Sequence, residues 1–300
     1  MTAAAPRPVV IGVDGSASAS AAVRLAAHEA ARRGCPLRVV HAFIWPLLRV
    51  PLGPSPLGPP EGGLRAQADR IVADAITDAH AAAPDVPVTG EVVEGAPAAV
   101  LLRESRRAEL VVIGSRGLGG FAGLVLGSVA TQVAEYAHCP VLVARGEEHA
   151  GGPVVVGVDG SEHATLALDF AWEQAARRAT DLVVVHAWRS PGLRVRATAP
   201  PPSPDRTAEA EGEKLLATLV ADARRRHPEV PVTERLLPGP PAKALLAAAE
   251  TAQLIVVGAR GLGGFAGMLL GSVSQAVVRH APCPVAIVRP RATASEPAES

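Results

Sequence analysis

The sequence predicts an α/β protein built as two tandem, doubly wound, five-stranded parallel sheets with helices on both faces. Three observations predict it. First, the chain repeats itself: PVVIGVDG at 8–15 returns as PVVVGVDG at 153–160, and GSRGLGGFAGLVLGSV at 114–129 returns as GARGLGGFAGMLLGSV at 258–273. Second, short apolar runs alternate with segments of helical spacing in each half, the pattern of a parallel sheet whose crossovers are helices. Third, the glycine-rich stretch in each half lies between an apolar run and a helix-like segment. It therefore reads as strand, loop and helix start.

The elements follow in order. VVIGV before Asp14-Gly15 is a buried strand entering a turn. Ser16 and Ser18 are candidate N-caps for the next helix, which Gly34 ends. PLRVVHAF, 36–43, is a second strand, followed by the proline-rich stretch WPLLRVPLGPSPLGPPEGG that fits no regular element and is expected to be functional or mobile. Residues 64–83 read as a helix, 86–95 as a strand, and 96–108 as a helix with Pro97 in its first turn, where proline is tolerated. The strand ELVVIG, the glycine loop, a helix from about 127 and the strand PVLVAR at 140–145 complete the first half. The second half repeats this order, with a proline-rich stretch at 189–206 and a helix at 207–227. The offset is 145 residues at Asp14/Asp159 and 144 at Gly114/Gly258, so one residue is lost between them. The expected domains are 1–146 and 152–290, with GEEHAGG at 146–152 as linker and 291–300 as a disordered tail.

Composition narrows the function classes. Apolar residues make up 48% of the 300 and charged residues 19%, enough for two packed cores, while 3% aromatics leave those cores to Val, Leu, Ile and Ala. A formal net charge of zero argues against nucleic acid as a partner, which needs a basic face. Cys35, Cys139 and Cys283 sit at no metal-ligand spacing and read as buried free thiols of a reducing compartment. The N-terminus lacks the apolar core of a signal peptide, and the expected location is cytoplasmic. Leu110–Val129 imitates a membrane span, but Arg116 and six glycines between 114 and 127 argue against insertion. No membrane partner is expected.

The chemistry concentrates at the strand ends. In a doubly wound sheet the ligand lies beyond the carboxyl ends of the strands, where strand order reverses. The residues there are Asp14, His41-Ala42 and Gly114, answered by Asp159, His186-Ala187 and Gly258. A glycine-rich loop lets backbone N–H groups face a ligand without Cβ interference, and a helix N-terminus behind it adds partial positive charge. Together they make an anion site, most often for phosphate. The loop also fits a dinucleotide fingerprint weakly, but that fingerprint belongs after the first strand, and no Walker lysine is present. His41 and His186 read as satisfied strand-end histidines rather than catalytic groups. Arg116 and Arg260 either reach a phosphate or are solvated.

The glycine stretch resembles a known signature. Gly114-x2-Gly117-x9-Gly127-Ser128 and Gly258-x2-Gly261-x9-Gly271-Ser272 fit the G-x2-G-x9-G-[S/T] pattern of the universal stress protein family. VGVDGS before the first helix of the second copy, VVHA at the second strand, the G-x-P-A turn at 95–98 and CPVLV at the end look like that family too. The resemblance covers essentially the whole chain, as a tandem two-domain member with an adenine nucleotide alpha hydrolase-like, Rossmann-like fold. It implies that Asp14 and Asp159 lie at the adenine and ribose side of ATP, and that the backbone at Ala42 and Ala187 contacts adenine. It implies that Gly114, Gly117, Gly127 and Ser128, with Gly258, Gly261, Gly271 and Ser272, hold ribose and phosphates. Gly12, Val129, Gly157 and Val273 complete the candidate set. On this reading Asp14 stands at the far end of the pocket from the glycine loop. One departure is Pro238, which replaces the counterpart of Glu94 and stiffens the second copy's turn. The resemblance implies an ATP-binding regulatory protein of stress or dormancy, with or without Mg. The alternatives are a slow ATP hydrolase and a nucleotide-free dimerising scaffold. No catalytic or metal-ligating residue is assigned. The two final strands are expected to pair as an intrachain pseudo-dimer, and two chains to form a homodimer.

Overall fold

Five parallel strands form the frame of each half because runs such as Val9–Gly12 and Leu110–Gly114 are apolar on both faces, which suits a sheet covered twice. The structure is a computed structural model that describes residues 6–44, 63–118, 126–188, 206–263 and 269–290. The proline-rich stretches at 45–62 and 189–205, the middle of each glycine loop and the expected tail lie outside the described residues. Two units emerge, one ending at Ala144 and one spanning Arg145–Pro290.

The first unit runs β1 (Val9–Gly12), α1 (Ala17–Arg33), β2 (Leu37–Phe43), α2 (Leu64–Ala82), β3 (Val88–Glu94), α3 (Pro97–Ser105), β4 (Leu110–Gly114), α4 (Ser128–Tyr136) and β5 (Val141–Ala144). The second runs β6 (Val154–Gly157), α5 (Glu162–Arg178), β7 (Leu182–Trp188), α6 (Arg206–Arg226), β8 (Val232–Pro238), α7 (Pro241–Ala248), β9 (Leu254–Gly258), α8 (Ser272–His280) and β10 (Val285–Val288). Strand order is β3-β2-β1-β4-β5 in the first unit and β8-β7-β6-β9-β10 in the second. The strand pairs are parallel, with Gly12 beside Ile113 and Val156 beside Val256. Strand order therefore reverses between β1 and β4, and between β6 and β9, the crevice in which such sheets bind ligands. In the first unit α1 packs with α2 and α3 with α4, giving two helical layers.

Local chemistry sets the helix ends. Ser16 caps α1 by accepting from the Ala19 N–H at 3.2 Å, and Ser161 does the same for Ala164 on α5. Gly34 ends α1 in the left-handed region at φ 59°, whereas Ala179 ends α5 at φ 49° without glycine's freedom. The core is aliphatic, and among the described residues Trp172 is the largest fully buried side chain. The three cysteines are buried and form no disulfide, and burial pushes the Cys283 thiol up to about 12. Pro238 does not disturb its turn. The Gly239 N–H donates to Trp188 at 2.9 Å, as the Gly95 N–H donates to Phe43 at 3.0 Å.

The segment expected as linker packs on the second unit. Arg145 Nε donates to the Ala281 carbonyl, Glu147 N–H to Pro282, and Gln253 to the Gly152 carbonyl. Among the described residues no helix is long and apolar enough to cross a membrane.

Candidate functional site

Each unit holds a cavity at its reversal point. The first, about 520 Å³, is lined by Gly12, Asp14, Ala42, Gly114, Gly117, Gly127, Ser128 and Val129. The second, about 380 Å³, is lined by Gly157, Asp159, Ala187, Gly258, Gly261, Gly271, Ser272 and Val273. All sixteen sequence-predicted residues are thus brought to a pocket, eight in each. Both volumes suit a small-molecule ligand, for which pockets run to roughly 300–1,000 Å³.

Asp14 is the organiser of the first pocket. It stands two residues past β1, where the Asp-Gly turn folds its carboxylate back onto the chain. Its Oδ1 accepts from the Ser16 N–H at 3.0 Å. Its Oδ2 accepts from the Leu118 N–H at 2.9 Å, across 104 residues of chain. Asp159 repeats both bonds, to Ser161 at 3.0 Å and Leu262 at 2.9 Å. The carboxylate therefore ties the helix start to the glycine loop. This corrects one expectation: Asp14 is not at the far end of the pocket from that loop but in contact with it. The reason is chemical. The loop's N–H groups have no strand to pair with, and a carboxylate at the neighbouring strand end satisfies one of them.

The glycines answer to close approaches. A Cβ on Gly117 would run into Asp14 Oδ2, and one on Gly261 into Asp159 Oδ2. A Cβ on Gly114 would sit 2.7 Å from Ser18 Oγ, and one on Gly258 2.8 Å from the backbone of His163. Gly12 and Gly157 let the Leu101 and Leu245 side chains approach, each 2.7 Å from where a Cβ would be. Gly127 and Gly271 meet only ordinary contacts. They occupy the N-cap positions of α4 and α8, at φ −73° and −68°, with no side chain capping either helix. The first N–H groups of α4 and α8, with the Ser128 and Ser272 hydroxyls beside them, are left to the pocket. The loop ends are pinned beneath: Gly127 N–H donates to Ser115 at 2.8 Å, and Gly271 N–H to Ala259 at 2.7 Å.

The opposite wall is apolar. Val40, Pro97, Leu101 and Ile113 line the first pocket, and Val185, Pro241, Leu245 and Val257 the second. The α3 and α7 residues Pro97, Leu101, Pro241 and Leu245 were not among the predicted ones. A proline in the first helical turn after a glycine marks them in the sequence, but nothing local says that this helix leans over β1. Arg116 and Arg260 both line their pockets. His41 Nδ1 donates to the Val13 carbonyl at 2.8 Å and His186 Nδ1 to Val158 at 2.8 Å, so both strand-end histidines are satisfied structurally. Among the described residues no group of three or more His, Cys, Asp or Glu side chains is placed to hold a metal.

The surroundings of the two pockets differ at a position that lines neither cavity. Ser18 of the first corresponds to His163 of the second. Ser18 Oγ accepts from the Arg116 N–H at 3.4 Å. His163 Nε2 accepts from Arg260 Nε at 3.3 Å, while its Nδ1 is buried without a partner among the described residues. Burial first, and then the nearby Arg260, hold His163 below the usual histidine range.

Comparison with known proteins shows the family to which the chain belongs. The universal stress protein family profile matches residues 6–145 and 152–289. A universal stress protein of Mycolicibacterium smegmatis is 38% identical over 294 residues, covering 94% of this chain and 97% of that protein. One from Mycobacterium tuberculosis is 37% identical over 301 residues, covering 94% and 96%. A solved universal stress protein from Archaeoglobus fulgidus superposes with a TM-score of 0.67 at 21% identity, over 94% of this chain and 98% of that one, a likeness of fold.

Proposed function

We propose, from the premise that this chain belongs to the universal stress protein family as a tandem two-domain member, that each domain binds one ATP and that the protein acts as a regulator in a stress or dormancy response. The observation that carries the reading is the pairing, in each pocket, of an uncapped helix N-terminus with an apolar wall. The N–H groups at the start of α4, the Ser128 hydroxyl and Arg116 offer donors and positive charge to phosphates. Val40, Pro97 and Leu101 offer a slot for a planar base, with the Ala42 backbone at its edge. The second pocket offers the same through α8, Ser272, Arg260, Val185, Pro241, Leu245 and Ala187. The glycine positions support the fit, because Gly117 and Gly261 let the loop lie against the clamping carboxylate.

Regulation follows from differential affinity. A nucleotide that binds one arrangement of the glycine loop better than another shifts the population toward it. We assign no catalytic step. Asp14 and Asp159 are committed to backbone N–H groups and His41 and His186 to carbonyls, which leaves no evident general base among these strand-end residues. Hydrolysis on this reading is at most slow, with or without Mg. We further propose that two chains associate as a homodimer, to be checked by light scattering with and without ATP.

The test is native mass spectrometry of the purified protein. Co-purifying adenine nucleotide, lost when Gly117→Ala and Gly261→Ala are combined, supports the reading. Protein that carries none and takes up none at millimolar ATP contradicts it.

A further inference from the structure

We infer that His163 couples the second pocket to pH, so that its grip on a nucleotide phosphate tightens as pH falls, while the first pocket lacks this coupling. The inference rests on the proposed reading that both pockets take an adenine nucleotide. It concerns a residue that does not line the cavity and acts through one that does.

His163 sits at the second position of α5, against the backbone of Gly258, where the first unit has Ser18 against Gly114. Arg260 follows Gly258 in the glycine loop and lines the pocket beside Gly261 and Ser272. Its Nε–H donates to His163 Nε2, so the imidazole is neutral there and carries its proton on the buried Nδ1. Among the described residues, three charged groups act on the ring. Arg260 comes from the loop, Glu162 from α5 itself, and Arg289 from the end of β10, with the Val288 carbonyl near the ring. Arg260 and Arg289 disfavour the imidazolium, Glu162 and the carbonyl favour it, and burial disfavours it most. Serine at 18 has no proton to exchange in this range, and it receives the Arg116 backbone rather than its guanidinium.

A phosphate at the α8 N-terminus brings negative charge beside Arg260 and offsets its field on His163. Protonation of Nε2 becomes easier and removes the lone pair that holds Arg260. The freed guanidinium then turns to the phosphate, and His163⁺ adds a second positive charge behind it. Binding therefore takes up a proton. By linkage, a group whose pKa is higher in the bound state than in the free state strengthens binding as pH falls through the interval between the two. His163 is thus a positioning residue of the second site.

The experiment is calorimetry of ATP on the full-length chain, with Gly261→Ala isolating the first pocket and Gly117→Ala isolating the second. The first pocket serves as the control for the nucleotide's own phosphate titration. As pH falls from about 8 to about 5 the second pocket should gain up to about fivefold more affinity than the first, the limit that a pKa change of somewhat under one unit sets once the pH lies below both values. His163→Ser should bring the two pH profiles together. Because that variant touches a tight packing site, the unmodified chain provides a second measurement. Binding heats in two buffers of different ionisation enthalpy should show proton uptake beyond that of the first pocket alone. Equal pH profiles in both pockets, or a difference that survives His163→Ser, would overturn the inference while leaving the proposed function standing. No ATP at either pocket at any pH would overturn the proposed function, and this inference with it.

Discussion

The two pockets share one plan and differ in how tightly that plan is packed. Both use an aspartate past the first strand to tie a glycine loop to a helix start, with bonds that match to within 0.1 Å. Around this common clamp the second pocket is smaller, about 380 against 520 Å³. His163 replaces a serine against Gly258, and Ser274, the counterpart of Ala130 in the repeat, adds a buried hydroxyl that donates to the Gly258 carbonyl at 2.6 Å. The clamp is therefore what the two pockets hold in common, and the surroundings are where they differ.

The steepest test of that contrast is at the glycines under the loop. A Cβ at 258 would press on His163 backbone at 2.8 Å, whereas one at 114 would press first on a Ser18 hydroxyl, which can rotate, and on backbone only at 3.1 Å. Gly258→Ala should cost about 3 kcal/mol and Gly114→Ala about 1–2 kcal/mol, read from urea unfolding of each variant. Equal losses would break the claim that the second site is the tighter one.

The shared clamp should respond alike in both units. Asn in place of Asp can accept through only one of its two terminal atoms, so one of the two clamped N–H groups loses its partner. Asp14→Asn and Asp159→Asn should each cost about 1–2 kcal/mol, with values agreeing within about 0.5 kcal/mol, checked by denaturant titration. A large inequality would show that the clamp carries different weight in the two domains.

Next in size are the ligand effects. Gly117→Ala and Gly261→Ala push the loop off the clamping carboxylate, and each should weaken ATP at its own pocket about tenfold, roughly 1.4 kcal/mol, without changing the other, as read by calorimetry. The smallest effect lies at the helix ends. Ala179 holds a left-handed conformation that Gly34 adopts freely at the equivalent position. Ala179→Gly should stabilise the chain by about 1 kcal/mol in thermal unfolding, and Gly34→Ala should destabilise it by a similar amount.

Much of this was legible in the sequence, and the reasons are physical. Strands buried on both faces are written as unbroken apolar runs, so β1, β4, β6 and β9 could be read directly. The start of α1 was marked by Ser16, and predicted helix limits such as 64–83 fall close to the observed Leu64–Ala82. The candidate residues converge because a doubly wound sheet gathers its strand ends. Contacts that span the chain were not legible. Nothing near Asp14 announces a bond to Leu118, and the expected separation of Asp14 from the glycine loop is not what the structure has. Of two candidate caps, Ser16 serves α1, whereas Ser18 turned out to face Arg116. The role of His163 emerges only when its ring is seen beside Arg260.

The central claim is that this chain carries two independent nucleotide pockets of one design. The most direct measurement is the binding stoichiometry of ATP on the full-length chain by isothermal titration calorimetry. The account predicts two ATP per chain, falling to about one in Gly117→Ala and in Gly261→Ala at concentrations that fill only the intact pocket. An unmodified chain that binds no ATP at about millimolar concentration, or one whose binding is unchanged by both substitutions together, would contradict it.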